Sequence, residues 1–386
     1  MAMPVVIEKP PLLQRLKPLV ENFDWTLLGI VGLLAGIGLV TMYSVAYEMP
    51  GRFEMHLRNM VIAAAVMLVM AHVPPQRLMT FAVPLYFVGV ALLVAVALFG
   101  ITKKGSTRWV NVGIVIQPSE IMKIAMPLML AWWFQKREGA LRTIDFVVAG
   151  LIVAVPSALI LTQPDLGTTL LVAASGLFVI YLAGLSWKLI IPPAVLGVLG
   201  IVTLIVMEPS WCQPGVDWVV LHDYQKTRVC TLLDPMKDPL GRGFHIIQGL
   251  IAIGSGGVWG KGLLQGTQTQ LNFVPERTTD FIFAGFAEEF GFVGVVVLLV
   301  AFFALTARGL KIANEAPMIF SRLLAGALTL VYFLYAFVNM GMVSGILPVV
   351  GLPLPFLSYG GTAMVTLGAS LGILLSIARS KALVQS

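Results

Sequence analysis

Long apolar stretches separated by short polar connections recur along almost the whole chain. A helix needs about 20 apolar residues to cross a bilayer, and the stretches of about this length are residues 25–45, 58–73, 79–99, 118–135, 144–163, 166–185, 187–208, 279–306, 321–344 and 360–378. The second and fourth are short or interrupted by polar residues. The pattern predicts an all-α polytopic membrane protein with about ten transmembrane helices and a large loop between the seventh and eighth.

These spans divide the chain into an N-terminal segment, 1–24, seven helices within 25–208, a loop over 209–278, three helices within 279–378 and a tail, 379–386. The first apolar stretch does not look like a cleaved signal peptide, because it lacks a small-residue cleavage site and follows a stretch rich in proline and charge. Composition agrees with a membrane protein: 58% of residues are hydrophobic and 11% are charged, against about 25% charged in soluble domains.

The distribution of Lys and Arg predicts that both termini are cytoplasmic. With that orientation, the inside segments hold Lys9, Arg15, Lys17, Arg77, Lys136, Arg137, Arg142, Lys188, Arg308, Lys311, Arg322, Arg379 and Lys381. The short outside loops hold only Arg52, Arg58, Lys103, Lys104 and Arg108. The net charge of +6 therefore reflects membrane topology and requires no nucleic acid, while an anionic lipid substrate remains compatible with it.

Asp280 is the candidate catalytic residue. It lies where the polar loop enters the eighth apolar segment, and further charges surround it at Glu276, Arg277, Glu288 and Glu289. A carboxylate at the mouth of a membrane helix is costly unless it is paired, hydrated or used. The structural alternative is a helix cap, in which Thr279 or Asp280 accepts backbone N–H bonds.

A second polar cluster spans the predicted outside loop 100–118 and the start of the fourth helix. Arg108 offers a guanidinium for phosphate, and the adjacent Trp109 offers an aromatic face for a sugar or a lipid. Gln117 precedes the helix, where Glu120 and Lys123 share one face and can pair. The structural alternatives are interfacial anchoring by the arginine and tryptophan and a purely structural ion pair.

Two more polar segments are predicted on the same side. Residues 163–169 join the fifth and sixth helices and include Asp165, for which a turn and helix cap is the structural alternative. Residues 351–362 are dense in proline and glycine and contain Ser358 and Tyr359. Irregular backbone at membrane depth is tolerated only where protein or a cavity covers it.

The long loop contains a predicted amphipathic helix over 244–251, expected on the membrane surface. The following glycine-rich run, 254–262, fails the phosphate-loop pattern, so we expect no nucleotide and interpret it as a flexible hinge carrying Lys261. The only cysteines, Cys212 and Cys230, are both predicted outside, where they form either a disulfide or two separate thiols. A bridge would contribute about 3 kcal/mol of stability, and we expect it to be structural.

Several motifs together resemble the SEDS family (shape, elongation, division and sporulation) over roughly residues 25–380. They are Thr107-Arg108-Trp109, Gln117-Pro118-Ser119-Glu120, Gln163-Pro164-Asp165-Leu166-Gly167-Thr168, Asp238-Pro239-Leu240-Gly241, Gly254-Ser255-Gly256-Gly257, Pro275-Glu276-Arg277, Thr279-Asp280-Phe281-Ile282-Phe283 and Leu357-Ser358-Tyr359-Gly360-Gly361. The Pro-Glu-Arg form favours the elongation-system branch over the division-system branch. The cysteine-containing segment is not expected from the family.

The resemblance implies a peptidoglycan glycosyltransferase that polymerises lipid II on the outer face of the bacterial inner membrane, with Asp280 as the catalytic carboxylate. The substrate-binding candidates are Arg108, Trp109, Gln117, Glu120, Lys123, Asp165, Glu276, Arg277, Thr279, Ser358 and Tyr359. Implied partners are a class B penicillin-binding protein, elongation-complex proteins and membrane lipids. A divalent cation, Mg²⁺ or Mn²⁺, could assist, although no His or Cys cluster predicts a transition-metal site. The alternatives are a lipid II flippase and a non-enzymatic scaffold.

Overall fold

The structure, a computed structural model, describes residues 23–103, 106–111, 115–213, 216, 223–241 and 243–385. Of the predicted N-terminal segment, only residues 23 and 24 lie within the described part. The α-helices are α1 (Trp25–Val45), α2 (Arg52–Ala71), α3 (Pro75–Phe99), α4 (Pro118–Gln135), α5 (Thr143–Leu161), α6 (Leu166–Leu182), α7 (Trp187–Trp211), α8 (Asp223–Leu233), α9 (Gly243–Ser255), α10 (Thr267–Gln270), α11 (Ile282–Glu315), α12 (Ile319–Val343) and α13 (Gly361–Gln385).

The prediction of a helical, polytopic membrane protein is confirmed. Eight helices of the described part are long and apolar enough to cross a membrane: α1, α2, α3, α5, α7, α11, α12 and α13. The remaining two predicted spans correspond to α4, with 18 residues, and α6, with 17. Both pack against α12 and against each other. The number of helices that cross the bilayer stays a prediction.

A small sheet interrupts the helical pattern between α3 and α4. Its strands are β1 (Ile101–Lys103), β2 (Ser106–Asn111) and β3 (Val115–Ile116), paired antiparallel in the order β1-β2-β3. Ile101 lies opposite Trp109 and Val110 lies opposite Ile116. This region is predicted from the sequence only as a loop, and the sheet is not predicted. The pairing satisfies backbone groups next to the apolar core and gives Arg108 and Trp109 a fixed strand position.

The core is built around α12 and α13, most of whose residues are buried. Tyr332 and Tyr335 are among the largest fully buried side chains. By contrast, none of the residues whose burial the structure describes in the apolar stretch of α7 is buried, and the main contacts of this helix are with α8. At the end of the bundle where α1 begins, Asp24 caps α1 and pairs with Arg308 of α11, with 2.7 Å between Oδ2 and Nη2.

The backbone of α11 is broken at Gly291, which has φ 63° and ψ −165°. The break frees backbone groups, and the glycine-rich loop 256–262 satisfies them. The Lys261 amide donates to Glu288 O at 3.0 Å, and the Phe292 amide donates to Gly257 O at 2.9 Å. Lys261 Nζ also lies 2.7 Å from the Glu288 carboxylate. The expectation of a flexible hinge is therefore wrong: the glycines permit close docking of two backbones.

The predicted amphipathic helix is present as α9, but it packs on α11 through small residues. Its buried positions include Ile246, Gly249 and Ala252, whereas Leu250 and Ile251 are exposed. The apolar residues from which a surface helix is predicted, such as Leu250 and Ile251, therefore lie on the face of α9 that does not pack against α11. Gly249 allows the close approach, because a Cβ there would lie 3.2 Å from the Phe281 ring.

We predict that Gly260→Ala destabilises the protein by about 1–3 kcal/mol, because its backbone has φ +78° and the methyl group would lie 2.1 Å from Glu289 O. Gly254→Ala is the matched control, since nothing lies within 4 Å of its added Cβ and alanine favours a helix. Thermal unfolding of the purified protein in detergent tests both variants. Equal melting temperatures for Gly260→Ala and wild type would contradict the docking of this loop.

Candidate active site

Asp280 lies at the end of the bundle where α11 begins and lines a cavity of about 760 Å³. We call this the Asp280 cavity. Its walls come from the long loop, from α8 and α9, and from the segment between α12 and α13; the lining residues are Arg228, Thr231, Asp238, Gly241, His245, Ile246, Glu276, Asp280, Phe281 and Val349. A half-buried carboxylate at the wall of a polar cavity is accessible to a substrate and is shielded on one side by protein.

Asn339 of α12 links the backbone of Asp280 to the segment between α12 and α13. Its Nδ2 donates to Asp280 O at 3.0 Å and to Leu352 O at 2.7 Å. Phe281, rather than Thr279 or Asp280, is the N-cap residue of α11, and it makes no side-chain cap hydrogen bond. Thr279 Oγ1 instead donates to the Glu276 carboxylate at 2.8 Å.

The segment around Ser358 and Tyr359 is bound to the chain just before Asp280. Ser358 Oγ donates to Thr279 O at 2.7 Å, and the Tyr359 amide donates to Thr278 O at 2.8 Å. The Tyr359 ring lies under the Arg52 guanidinium, 4.3 Å from ring centroid to Cζ. The two residues predicted as substrate-binding thus hold the segment before Asp280 in place, Ser358 through its hydroxyl and Tyr359 through its backbone amide.

Arg277, another predicted substrate-binding residue, does not line the Asp280 cavity. Its side chain is buried and donates to Thr269 O at 2.5 Å and to the Asn272 side chain. Glu48 lies 3.5 Å away. Burial lowers the pKa of the Arg277 guanidinium, although an arginine remains charged. The Arg277 guanidinium therefore stabilises the loop through hydrogen bonds to Thr269 and Asn272.

Two cavity residues beside Asp280 are titratable. Glu276 is exposed and lies at φ 49°, in the left-handed region. Burial lowers the pKa of His245, while the charge of Glu276 raises it to a smaller extent. His245 is consequently neutral at pH 7, so the imidazole can donate or accept a hydrogen bond without adding a positive charge.

The loop that leads to Asp280 is anchored by Glu288, whose side chain is fully buried. Besides Lys261, it accepts from the Gln268 amide at 2.8 Å and from the Thr269 amide and hydroxyl at 3.0 and 2.8 Å. The neighbouring Glu289 accepts from Ser44 Oγ at 2.5 Å. A buried carboxylate is stable only with such partners, so both residues fix the loop against α11.

The second predicted cluster forms two ion pairs. Arg108 Nη1 lies 3.3 Å from Asp165 Oδ2, and its Nη2 donates to Pro164 O at 2.8 Å. Asp165 is also the N-cap of α6, accepting from the Thr168 amide at 3.1 Å. The cap expected as the structural alternative is therefore present together with the ion pair.

Glu120 and Lys123 pair on α4, with 2.6 Å between Oε1 and Nζ. Thr366 Oγ1 donates to the other Glu120 oxygen at 3.0 Å, and Lys123 Nζ lies 5.5 Å from the Tyr335 ring centroid. Gln117 precedes this helix as its N-cap residue, and its carbonyl accepts from the Glu120 amide. Removing one partner of such a buried pair costs about 3–5 kcal/mol.

Residues 349–352 connect the two polar clusters. A Cβ at Gly167, near the start of α6, would lie 2.6 Å from Val350 O, and one at Gly351 would lie 3.4 Å from Asp280 Oδ2. Gly167, two residues after Asp165, and Asp280 therefore both lie close to this short segment. The structure brings Asp280 and Glu276 together in the cavity, whereas Arg108 and Lys123 are not among its lining residues and form separate ion pairs.

Sequence analysis does not identify Arg228, Asp238, His245 or Asn339 as site residues. Asp238 begins one of the family-like motifs, and Asn339 is a polar residue inside an apolar span, which is a signal in its own right. Within the described ranges, no group of three or more His, Cys, Asp or Glu could hold a metal ion. A divalent cation therefore stays a prediction.

The chain matches the FtsW/RodA/SpoVE family, described as cell cycle protein, over residues 24–383. It belongs to this family, which is the SEDS family of the sequence-based prediction. It is 46% identical over 357 residues to peptidoglycan glycosyltransferase MrdB of Escherichia coli K12, covering 92% of this chain and 93% of that protein. Stage V sporulation protein E of Bacillus subtilis is 34% identical over 369 residues, covering 92% and 97%.

Solved structures of the family have the same fold. One, of a peptidoglycan synthase complex that coordinates polymerization and crosslinking, has a TM-score of 0.75 and 31% identity, covering 93% of this chain and 98% of that one. Rod shape determining protein RodA of Thermus thermophilus has a TM-score of 0.69 and 26% identity, covering 94% and 98%. The predicted elongation-system branch agrees with these relatives.

We predict that Arg108 and Asp165 are energetically coupled. Arg108→Ala and Asp165→Ala should each lower the melting temperature, and the double variant should lose less than the sum, with a coupling of about 0.5–3 kcal/mol. Arg108→Lys should recover only part of the loss, because an ammonium cannot reproduce the two-pronged contact with Asp165 and Pro164. Additive losses would show that the pair contributes nothing to stability.

Proposed function

We propose that this chain polymerises lipid II into glycan strands, with Asp280 as the general base. The chain is a peptidoglycan glycosyltransferase of the FtsW/RodA/SpoVE family. The observation that supports the residue assignment is the position of Asp280: it is a half-buried carboxylate, two residues before a membrane helix, on the wall of a cavity of about 760 Å³ that several charged side chains line.

The reaction requires one carboxylate as general base and no general acid. The 4-hydroxyl of the acceptor sugar loses its proton to Asp280 and attacks the anomeric carbon of the lipid-linked donor from the side opposite the diphosphate. The new C–O bond forms as the bond to the diphosphate breaks, and the lipid diphosphate leaves with the electron pair. The configuration inverts from α to β, as in inverting glycoside hydrolysis. A diphosphate leaves without protonation where cations stabilise its charge.

The fixed backbone around Asp280 supports this role. Asn339 holds the Asp280 carbonyl, and Ser358 holds the preceding residue, so the carboxylate is presented from a rigid segment. Positioning of a base within hydrogen-bond reach of its proton is a requirement of general base catalysis. Substrate contacts by the other candidate residues stay predictions, as does a divalent cation.

The chain is a multi-pass inner-membrane protein, and we place the Asp280 cavity on its outer face with both termini cytoplasmic. The distribution of Lys and Arg supports this orientation. A penicillin-binding protein transpeptidase is the partner we propose, because a similar solved structure is a complex that coordinates polymerization with crosslinking. Other elongation-complex proteins and membrane lipids are further proposed partners.

Asp280→Asn should abolish polymerisation of purified lipid II without lowering expression or melting temperature. An amide keeps the size of the carboxylate but cannot accept the proton, and loss of a general base costs about 10²–10⁴-fold. Glu138→Gln is the matched control, since this exposed carboxylate lies between α4 and α5 at the opposite end of the bundle. Polymer yield within a few-fold of wild type for Asp280→Asn would contradict the assignment.

The orientation is tested by single cysteines introduced at exposed positions of each end. Leu240→Cys, in the long loop, should react with a membrane-impermeant maleimide in intact spheroplasts. Glu138→Cys should react only after lysis. The opposite labelling pattern would place the cavity on the cytoplasmic face and would remove the proposed site of lipid II polymerisation.

A further inference from the structure

Helix α8 presents two different faces to its surroundings. A helix turns by about 100° per residue, so residues three or four apart share a face and residues two apart lie on opposite sides. Lys226 and Cys230 share one face, and Arg228 and Thr231 share the other. The first face contacts the chain that follows α7, whereas the second lines the Asp280 cavity.

The first face joins α8 to the end of α7. Cys230 forms a disulfide with Cys212, the C-cap residue of α7, with 5.6 Å between the two Cα atoms. Lys226 Nζ donates to Gln213 O at 3.2 Å and also to Val216 O. The side chains of residues 226–233 are all only half-buried. Apolar burial therefore does little to fix α8, and the covalent bridge is its strongest attachment.

The second face brings a cation to the catalytic cavity. Arg228 lines the Asp280 cavity and donates from Nη1 to Val349 O at 2.8 Å. Val349 lies in the segment that also contacts Asp280 through Gly351. The three cations predicted to bind the substrate have other partners: Arg108 is paired with Asp165, Arg277 is buried under the loop, and Lys123 is paired with Glu120. Among the lining residues that the structure describes, Arg228 is the arginine of the cavity wall.

We propose that the Cys212–Cys230 bridge is a positioning element of the active site: it holds α8 so that the Arg228 guanidinium binds the diphosphate of the lipid-linked substrate. The inference rests on the proposed function, because it assumes a diphosphate in the Asp280 cavity. A guanidinium recognises phosphate oxygens through two parallel hydrogen bonds and keeps its charge at any working pH. The disulfide is predicted from the sequence to be only structural. The position of Arg228 on the same helix gives the disulfide a second role.

The test measures lipid II polymerisation as kcat/KM with and without the bridge. Arg228→Ala should lower kcat/KM about tenfold, as expected for one charge-assisted hydrogen bond, and Arg228→Lys should recover part of it. Cys212→Ser with Cys230→Ser should cause a smaller loss that appears mainly as a higher KM. A phosphine, which is oxidised as it reduces the bridge to two thiols, should bring wild type to the same level and leave the double serine variant unchanged.

The decisive measurement combines Arg228→Ala with removal of the disulfide. Adding Arg228→Ala to the double serine variant should cost clearly less than it costs wild type, because the arginine is already displaced. Arg322→Ala, an exposed arginine on α12 at the opposite end, is the control for loss of charge. Full kcat/KM in the double serine variant, with unchanged KM, would overturn this inference. If wild type forms no polymer, the proposed function fails instead, and Asp280→Asn distinguishes the two outcomes.

Discussion

The interruption of α11 at Gly291 is the feature on which the site depends. Backbone groups at membrane depth must be satisfied by protein, and the break leaves several without helical partners. The loop 256–262 supplies those partners, with hydrogen bonds in both directions. Because Glu288, immediately before the break, also receives the amides of Gln268 and Thr269, the docked loop fixes the path of the chain toward Asp280.

Polar contacts from α8 and α12 meet at the segment 349–352, which lies beside Asp280. Val349 accepts from Arg228 and Leu352 accepts from Asn339. Gly351 lies beside the Asp280 carboxylate, because a Cβ added there would be 3.4 Å from Asp280 Oδ2. The segment has little regular structure, which is tolerated because protein covers both of its sides. Asn339 contributes most directly, since one amide group holds the carbonyls of both Asp280 and Leu352. A shift of this segment would therefore move the Asp280 carboxylate and the wall of its cavity together.

The charged side chains divide into those that pair with one another within the protein and those that line the Asp280 cavity. Arg277, Lys123 and Lys261 are each paired with a carboxylate of the protein, and two of these carboxylates lie within the helical bundle. Such pairs offset the cost of burying charge more than they add stability. The cavity wall holds Asp238, Glu276 and Asp280 against Arg228. Among the described lining residues, Arg228 is the one guanidinium and lies in a wall with three carboxylates.

Much of this protein could be predicted from the sequence, and the reasons are local. The ten apolar stretches predict the positions of the helices because span length and hydropathy are properties of contiguous residues. The pairing of Glu120 with Lys123 follows from helical spacing. Asp280 stands out because a carboxylate at a helix mouth is costly, and its motif is specific to the family.

Only the tertiary structure decided which polar residues meet. Arg277 is adjacent to Glu276 in sequence, yet it is buried beneath the loop while Glu276 lines the cavity. Arg228 lies far before Asp280 in the sequence, yet it lines the same cavity from α8, which a disulfide links to the end of α7. The glycines of 256–262 predict flexibility, but they dock against a broken helix. Contacts between distant segments depend on packing and on backbone groups that need partners, and neither can be read from neighbouring residues.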